Sequence, residues 1–194
     1  EVVRQAAWDL GLPLIYRRVD VPARARRGRK NLEEAARGAR REFLEEAARE
    51  AGAGKIALGH TRTDLAETVL MHLLRGAGPT GLQGLRPSSP PYIRPLLTCS
   101  RAETRAFCRQ HQIPFHDDPS NLDTRLLRNA LRLEILPQLS RYNPRAEEAL
   151  ARAAELWAEA EEALGWAADR ALAEVRQEAG LDLERLEKLP LGVQ

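Results

Sequence analysis

The sequence predicts an α/β fold, with a partial parallel sheet covered by helices, followed by an all-α region. Two observations support this prediction. Short apolar strands alternate with amphipathic helices through the first two thirds of the chain, and from Asn143-Pro144 onward the composition shifts to Ala, Glu, Leu and Arg. Strand–helix alternation is typical of right-handed crossover units with parallel strands. We therefore expect one domain over residues 1–140 and a helical domain over 141–194.

Three apolar segments are the candidate strands. The first runs from Leu14 to Val19 and ends at Asp20, and the second is KIALG at 55–59, which glycines bound on both sides. A third short strand is expected around Tyr92 to Arg94. Short apolar runs of this kind suit the buried strands of a parallel sheet.

The helices are placed by spacing and by capping residues. Asn31 with Glu34 has the spacing of a capping box, and apolar residues then recur at helical spacing until Gly52. Four more helices are expected: the tail of one at the start, about Asp64 to Arg75, Ser100 to about Gln110, and about Asp123 until Pro137. The last and longest begins at Asn143-Pro144 and extends to about Gly180, roughly 50 Å, with a plausible bend at Gly165.

Composition excludes several classes of protein. The chain has 43% apolar and 30% charged residues, which is typical of a globular protein. No apolar stretch approaches the ~20 residues of a membrane-spanning helix, and the first residues do not resemble a signal peptide, so we expect a cytoplasmic location. Cys99 and Cys108 fit neither a zinc spacing nor a secreted disulfide framework.

Arginine supplies 27 of the 30 basic residues, although the net charge is only +2. Arginine suits bidentate phosphate contacts, but genomic base composition produces the same bias. The segment PARARRGRK at 22–30 concentrates this charge and is predicted to be a loop. Such a loop is either simply solvated or binds the phosphate backbone of a nucleic acid.

The segment GHTRTDLAET at 59–68 is the most informative stretch for function. It places His60 at the carboxyl end of a predicted strand and Asp64 and Glu67 in the first turn of the next helix, at the edge where parallel sheets bind ligands. Carboxylates three residues apart face one side of a helix and suit a shared divalent cation. The same D-x-x-E pattern is also a plain capping box, and a lone histidine is often structural.

Four ordered motifs resemble one family. The segments are GHTRTDLAETVLMHLLRGAGPTGLQGL at 59–85, NLEEAARGARREFL at 31–44, YIRPLL at 92–97 and DDPSNLDTRLLRNALRLEILPQL at 117–139. They are similar to signatures of the tRNA(Ile)-lysidine synthetases, members of the N-type ATP pyrophosphatase group. The resemblance covers nearly the whole chain and implies a Rossmann-like fold of the adenine nucleotide alpha hydrolase type.

The resemblance also implies a reaction. ATP adenylates the first anticodon base, the wobble cytidine of the CAU anticodon of tRNA(Ile), and the ε-amine of free L-lysine then displaces AMP to give lysidine. The implied cofactors are ATP and Mg²⁺, and a homodimer is possible.

Site residues are implied position by position. Catalysis is assigned to His60, Asp64, Glu67, Arg128 and Asn129, with Asp64 and Glu67 as the metal ligands. Nucleotide binding is assigned to Arg37, His60 and Arg94, and tRNA or substrate contacts to Arg40, Asn121, Arg128 and Arg132. An asparagine near a helix end is also often only a cap, so both asparagines have this alternative interpretation. Ser120 is a weaker candidate.

This sequence departs from the family pattern at several positions. Thr61 and Thr63 stand where a second histidine and a second aspartate are common, and Arg41 stands where a tyrosine is usual. The SGGxDS loop that holds the ATP phosphates in this group does not occur in the sequence. From the sequence alone we therefore expect a truncated chain that is inactive by itself.

Two rival functions stay open at this point. One is a 2-thiolating tRNA modifier of the same superfamily, which commonly carries paired cysteines that are absent here. The other is a non-catalytic tRNA-binding fragment, for which tRNA affinity without any response to ATP would be the sign.

Overall fold

The computed structural model describes residues 1–29, 31–177 and 180–193. Lys30, the last residue of the predicted basic loop, lies outside the described residues. Two compact units are present, and they interleave along the chain. The first unit comprises Glu1–His60, Pro87–Leu97 and Ala102–Asp118, and the second comprises Thr61–Arg86, Thr98–Arg101 and Pro119–Gln194.

Helices dominate the described residues. The α-helices are α1 (Val2–Asp9), α2 (Val21–Gly28), α3 (Leu32–Glu50), α4 (Arg62–Leu74), α5 (Pro79–Leu82), α6 (Arg101–Gln110), α7 (Leu127–Ala130), α8 (Leu136–Tyr142), α9 (Ala146–Val175) and α10 (Leu183–Glu187). The strands are β1 (Ile56–Ala57), β2 (Ser88–Ser89), β3 (Tyr92–Ile93), β4 (Arg176–Gln177) and β5 (Gly180–Leu181). No described helix is long and apolar enough to cross a membrane.

The sheet of the first unit confirms the predicted parallel pairing. Strand β1 pairs with β3 in parallel, with Ile56 opposite Tyr92 and Ala57 opposite Ile93. Strand β2, which the sequence did not predict, pairs with β3 in the antiparallel sense. The carboxyl ends of β1 and β3 therefore lie at one edge of the sheet, where His60 and Arg94 follow them.

Two predictions for the first sixty residues are wrong. The segment from Leu14 to Val19 forms no strand, because a strand needs a hydrogen-bonded neighbour and no described segment pairs with it. The basic segment predicted as a loop forms α2 instead. Asp20 accepts a hydrogen bond from the Ala23 N–H (2.9 Å) as an N-cap, and a proline follows in the first turn, where its missing N–H costs nothing.

Helix α3 forms where the sequence predicts it. The Asn31 side chain accepts a hydrogen bond from the Glu34 N–H at 2.8 Å, which satisfies one of the free donors of the first turn. Ala35 and Ala39, one helical turn apart, are buried. Small side chains at this spacing let α2 pack closely on α3, with Ala25 buried on the α2 side.

Helix α4 is the centre of the second unit. Leu65, Ala66 and Val69 are buried on it, and it packs against α5, α7 and α9. Gly84 lies against this helix with φ +61°, and a Cβ there would approach Leu65 Cδ1 to 2.7 Å. Glycine is therefore required at this position both for its backbone conformation and for the close approach.

The helix predicted from Asp123 to Pro137 is wrong at both ends. Residues Pro119–Leu122 form one 3₁₀ turn, and α7 begins only at Leu127. A π-helical turn over Leu131–Ile135 then leads into α8, so Pro137 lies in the first turn of a helix and does not end one. The π-helical turn ends just before this proline, which has no N–H to donate to the preceding turn.

The long helix α9 confirms the prediction for the C-terminal third. It begins at Ala146, with the Asn143 side chain accepting from the Arg145 N–H at 3.0 Å, and it ends at Val175, short of Gly180. It is one continuous helix through Gly165. Because α9 packs against α4 and α5, it belongs to the same compact unit as they do. The boundary expected at residue 140 stays a prediction.

Candidate functional site

The first turn of α4 is fixed by a capping box that begins at Thr61, three residues before the one that the sequence suggested. The Thr61 N–H and hydroxyl both donate to Asp64 Oδ2, at 2.8 and 2.7 Å, while the Asp64 N–H approaches the Thr61 hydroxyl at 3.4 Å. Thr61 is therefore the N-cap and Asp64 its reciprocal partner. The reading of Asp64 with Glu67 as the capping box is wrong, which leaves the Glu67 carboxylate without a capping role.

Glu67 lies one turn further along α4 and is almost completely buried, with 1% of its surface exposed. Arg128 donates from Nε to Glu67 Oε2 at 2.5 Å and from Nη2 to Asp64 Oδ1 at 2.9 Å. One guanidinium thus joins both carboxylates of α4. Residues from two of the four motifs, far apart in sequence, meet at this point in the second unit.

Arg132 is the second cation beside Glu67. Its Nη1 lies 3.7 Å from Glu67 Oε1, and its Nη2 donates to the carbonyl of Asn121 and to Asn129 Oδ1, each at 2.8 Å. Its side chain is only 14% exposed. We call Asp64, Glu67, Arg128 and Arg132 the ionic cluster. Two carboxylates face two guanidiniums in it, so the formal charges balance.

Asn129 is buried next to the ionic cluster. Its Nδ2 donates to the carbonyls of Ser120 and Asp123, each at 2.9 Å, and its Oδ1 accepts from Arg132. It lies inside α7 and caps no helix. The Asn121 side chain is half-buried in the 3₁₀ turn, and its backbone carbonyl is the group that Arg132 contacts.

Burial dominates the electrostatics of Glu67. It raises the pKa of the carboxyl above the ordinary value of 4.5, while the hydrogen bond from Arg128 lowers it. A carboxylate removed from water is stable in its charged form only when cations and donors replace the lost hydration. Arg128 and Arg132 supply that replacement.

The ionic cluster as arranged does not fit a magnesium ion. Each of the four carboxylate oxygens already lies within hydrogen-bond or ion-pair distance of a protein donor. Magnesium needs near-octahedral oxygen ligands at about 2.1 Å. No group of three or more His, Cys, Asp or Glu side chains is placed to share a metal among the residues that the structure describes. The metal role of Asp64 and Glu67 stays a prediction.

His60 and Arg94 meet in the first unit. They follow β1 and β3, whose parallel pairing brings them side by side, and Arg94 Nε donates to His60 Nδ1 at 3.2 Å. Because Nδ1 accepts, the neutral ring carries its proton on Nε2, which can donate to an acceptor outside the pair. Two of the residues predicted to bind the nucleotide are therefore neighbours.

The remaining predicted residues, Arg37 and Arg40, lie on α3 in the first unit. Both side chains are exposed, and neither makes an ion pair with any residue in the described ranges. Arg41 and Glu42 beside them are paired, with Glu45 and Arg24 respectively. Arg37 and Arg40 belong to the first unit, whereas the ionic cluster belongs to the second.

Sequence reasoning missed the roles of the two threonines that depart from the family pattern. Thr61 is the cap described above, and the Thr63 hydroxyl donates to Glu147 Oε2 at 2.9 Å and accepts from the Arg101 N–H at 3.0 Å. Both threonines are buried. The signal for Thr61 was present as T-x-x-D over residues 61–64, which the D-x-x-E pattern obscured.

Comparison with known proteins adds family evidence. The model of a family described as a PP-loop domain matches residues 1–139. The chain is 41% identical to the tRNA(Ile)-lysidine synthase of Dehalococcoides mccartyi over 95% of its own length and 42% of that protein. It is 42% identical to the Geobacter sulfurreducens tRNA(Ile)-lysidine synthase over 88% of its length and 36% of that protein.

A third relative is the Thermus thermophilus tRNA(Ile)-lysidine synthase, 43% identical over 82% of this chain and 31% of that protein. The chain thus spans between three and five tenths of the length of these relatives. Among solved structures, the U34-tRNA thiolase NcsA from Methanococcus maripaludis matches 64% of this chain and 43% of its own, with a TM-score of 0.51 and 21% identity. At that identity the likeness shows the fold alone.

Proposed function

Because the chain belongs to the PP-loop domain family, we propose that it provides part of an ATP-dependent ligase that modifies tRNA. The reaction joins free L-lysine to the wobble cytidine of the CAU anticodon of tRNA(Ile). The cytidine carbonyl oxygen attacks the α-phosphate of ATP and releases pyrophosphate. The lysine ε-amine then attacks the activated carbon, AMP leaves, and the amine loses a proton to give lysidine.

The observation that carries this proposal is the contact between two motifs. The RNxxR element, through Arg128 and Arg132, contacts Glu67 of the GHTRTDLAET segment. We regard RNxxR as the element that separates lysidine synthetases from sulfur-transferring relatives. The 41–43% identity to three tRNA(Ile)-lysidine synthases supports the same choice.

The exposed and half-exposed predicted residues are the proposed substrate contacts. His60 and Arg94 would bind the nucleotide together, with Arg94 as a fixed cation. Arg37 would contact phosphate, and Arg40 would contact the tRNA. The Arg128 side chain is 35% exposed and would stabilise negative charge that develops on the substrate, and Asn121, which is half-buried, would contact the substrate or the tRNA.

ATP is proposed as the substrate together with the magnesium ion that its phosphates carry. Ligation of that ion by Asp64 and Glu67 would first require Arg128 to leave both carboxylates, because its guanidinium occupies the space between them. No step of the proposed reaction is therefore assigned to a metal held by these two residues.

The decisive experiment measures lysidine formation. The protein, expressed from its complete reading frame, is incubated with ATP, MgCl₂, labelled L-lysine and a tRNA(Ile) transcript with a CAU anticodon. We expect label in the tRNA, AMP as a product, and lysidine among the digested nucleosides. A transcript with uridine at the wobble position is the matched control, and it should receive no lysine.

The rivals give different results in the same assay. A thiolating enzyme would leave lysine unused and would incorporate sulfur from an added sulfide donor. A non-catalytic tRNA-binding protein would retain tRNA in a filter assay with the same affinity in the presence and absence of ATP. Either outcome, with no lysine in the tRNA, overturns the proposal.

A further inference from the structure

A chain of contacts links the buried Glu67 carboxylate to the segment 119–126. Arg132 lies beside Glu67 and donates to the Asn121 carbonyl and to the Asn129 side chain. Asn129 donates in turn to the carbonyls of Ser120 and Asp123. The segment therefore accepts three hydrogen bonds from two side chains, and one of these side chains is oriented by Glu67.

The burial of Asn129 excludes it from direct substrate contact in this arrangement. Only 6% of its surface is exposed, and both amide hydrogens and the amide oxygen are already in hydrogen bonds. A substrate atom could bind it only by displacing one of these two carbonyls or Arg132, and each displaced group would lose a partner. The side chain therefore acts on the segment and not on a ligand.

Glu67 lies at the opposite end of this chain of contacts from segment 119–126. It is 1% exposed and faces two guanidiniums, so its charge fixes the direction of both. Arg128 takes the place between Asp64 and Glu67 that the sequence suggested for a metal. The carboxylates are thus neutralised from within the protein, and the cluster needs no bound cation.

We propose that Glu67 is a positioning residue and not a metal ligand. It orients Arg128 and Arg132 and, through Arg132 and Asn129, holds segment 119–126 in the form that binds substrate. The binding role of the segment rests on the proposed function. The contacts between Glu67 and the segment do not rest on it, and they can be tested separately.

Limited trypsin digestion tests these contacts, because Arg125 lies in the segment and its side chain is 89% exposed. The protein is expressed from its complete reading frame as wild type, Glu67→Gln and Glu67→Asp. Glutamine keeps the size of the side chain but loses the charge that holds two arginines. We expect cleavage after Arg125 to become faster by about tenfold, the loss of one charge-assisted contact. Aspartate keeps the charge and should restore part of the protection.

Glu147→Gln is the matched control for a general loss of stability. Glu147 is in the same unit and accepts a hydrogen bond from Thr63, but among the described residues it contacts neither the ionic cluster nor the segment. Its cleavage rate at Arg125 should equal that of the wild type. Asn129→Ala is the second test, because it breaks only the last link and leaves Glu67 paired with Arg128. Wild-type cleavage rates in both Glu67→Gln and Asn129→Ala would overturn the proposal.

Manganese binding tests the alternative role of Glu67 directly. Mn²⁺ is added alone to the wild type and to Asp64→Asn and Glu67→Gln, and free Mn²⁺ is measured by electron paramagnetic resonance. We expect the three proteins to bind Mn²⁺ equally weakly. One tightly bound Mn²⁺ per wild-type chain that is lost in both variants would show a metal site, and it would overturn the proposal.

Steady-state kinetics connect the segment to catalysis. For Asn129→Ala we expect KM for the tRNA to rise about tenfold while kcat stays within about twofold. In this variant segment 119–126 loses its ordered form, but the reacting groups remain in place. An unchanged KM would contradict the binding role of the segment. If the wild type makes no lysidine, the proposed function fails, while the trypsin rates still decide whether Glu67 orders the segment.

Discussion

Two groups of charged side chains in this molecule have similar composition and very different surroundings. In the first unit, Arg41, Glu45 and Tyr92 form a surface triad in which Glu45 Oε1 accepts from Arg41 Nε at 2.9 Å and from the Tyr92 hydroxyl at 2.8 Å. In the second unit, the ionic cluster pairs Glu67 with Arg128 at a similar distance. The Arg41 side chain is 68% exposed, whereas Glu67 is 1% exposed.

The difference in burial decides what each group contributes. Water competes with the contacts of the surface triad and screens its charges, so loss of one partner costs little. Glu67 has no water to replace a lost arginine, and loss of a partner leaves a charge buried without compensation. The same residue types therefore form a surface contact that adds little to stability in the first unit, and a buried ion pair that stability depends on in the second.

The largest expected effect is that of Arg128→Ala. The substitution removes the 2.5 Å contact to Glu67 and leaves only Arg132, at 3.7 Å, to compensate the charge. We expect the free energy of unfolding at neutral pH to fall by about 3 kcal/mol, measured by urea denaturation. Arg41→Ala, the matched change in the surface triad, should give no measurable loss.

A double-mutant cycle sharpens this comparison. If the cost of Arg128→Ala comes from the uncompensated Glu67 charge, adding Glu67→Gln should recover part of the lost stability. Additive losses in the double variant would contradict the explanation. Equal losses for Arg128→Ala and Arg41→Ala would break the comparison itself.

Asn129→Ala should have the next largest effect. It leaves the carbonyls of Ser120 and Asp123 without the Asn129 donor and removes one acceptor of Arg132. We expect a loss of about 2 kcal/mol in the free energy of unfolding. Asn121→Ala is the control, because Arg132 contacts the backbone carbonyl at that position and not the side chain, and it should change stability by less than about 0.5 kcal/mol.

Local sequence patterns predicted much of the fold. The end of α3 follows from Gly52, the helix α6 from the capping residues Ser100 and Glu103, and the parallel pairing of β1 with β3 from the alternation of short strands and helices. The segment from Leu14 to Val19 has the same apolar character but no strand, because pairing depends on a neighbour elsewhere in the chain. The π-helical turn after Ala130 also has no local signature that we can identify.

The candidate site was predictable as a set of residues but not as a set of contacts. The spacing of Asp64 and Glu67 indicated a shared cation, and the RNxxR element indicated fixed arginines. That the cation between the carboxylates is Arg128 follows only from the packing of α4 against α7. Long-range pairing of two charged motifs is not visible in either motif alone.

The caps of α3 and α4 extend the comparison of the two units. Thr61 is buried and also donates to Asp64, which in turn binds Arg128, whereas Asn31 is an exposed cap. We expect Thr61→Ala to lower the free energy of unfolding by about 1.5 kcal/mol and Asn31→Ala by about 0.5 kcal/mol. Thermal or urea unfolding measures both, and a larger loss at Asn31 would contradict the connection of the α4 cap to the ionic cluster.

The smallest expected effect is a pH dependence in the surface triad. Partial burial raises the pKa of the Tyr92 hydroxyl above 10.0, and the hydrogen bond to Glu45 raises it further. Because the folded state holds this proton more tightly than the unfolded state, the contribution of Tyr92 to stability is present below about pH 10 and is lost as the pH rises through the raised pKa.

Tyrosinate absorbance of the wild type minus that of Tyr92→Phe isolates this titration. Glu45→Gln should shift the difference curve to lower pH, whereas Glu46→Gln, which removes only the partner of Arg17, should leave it unchanged. A curve that does not respond to Glu45→Gln would show that burial alone raises the pKa, and the surface triad would then resemble the ionic cluster more closely than its exposure indicates.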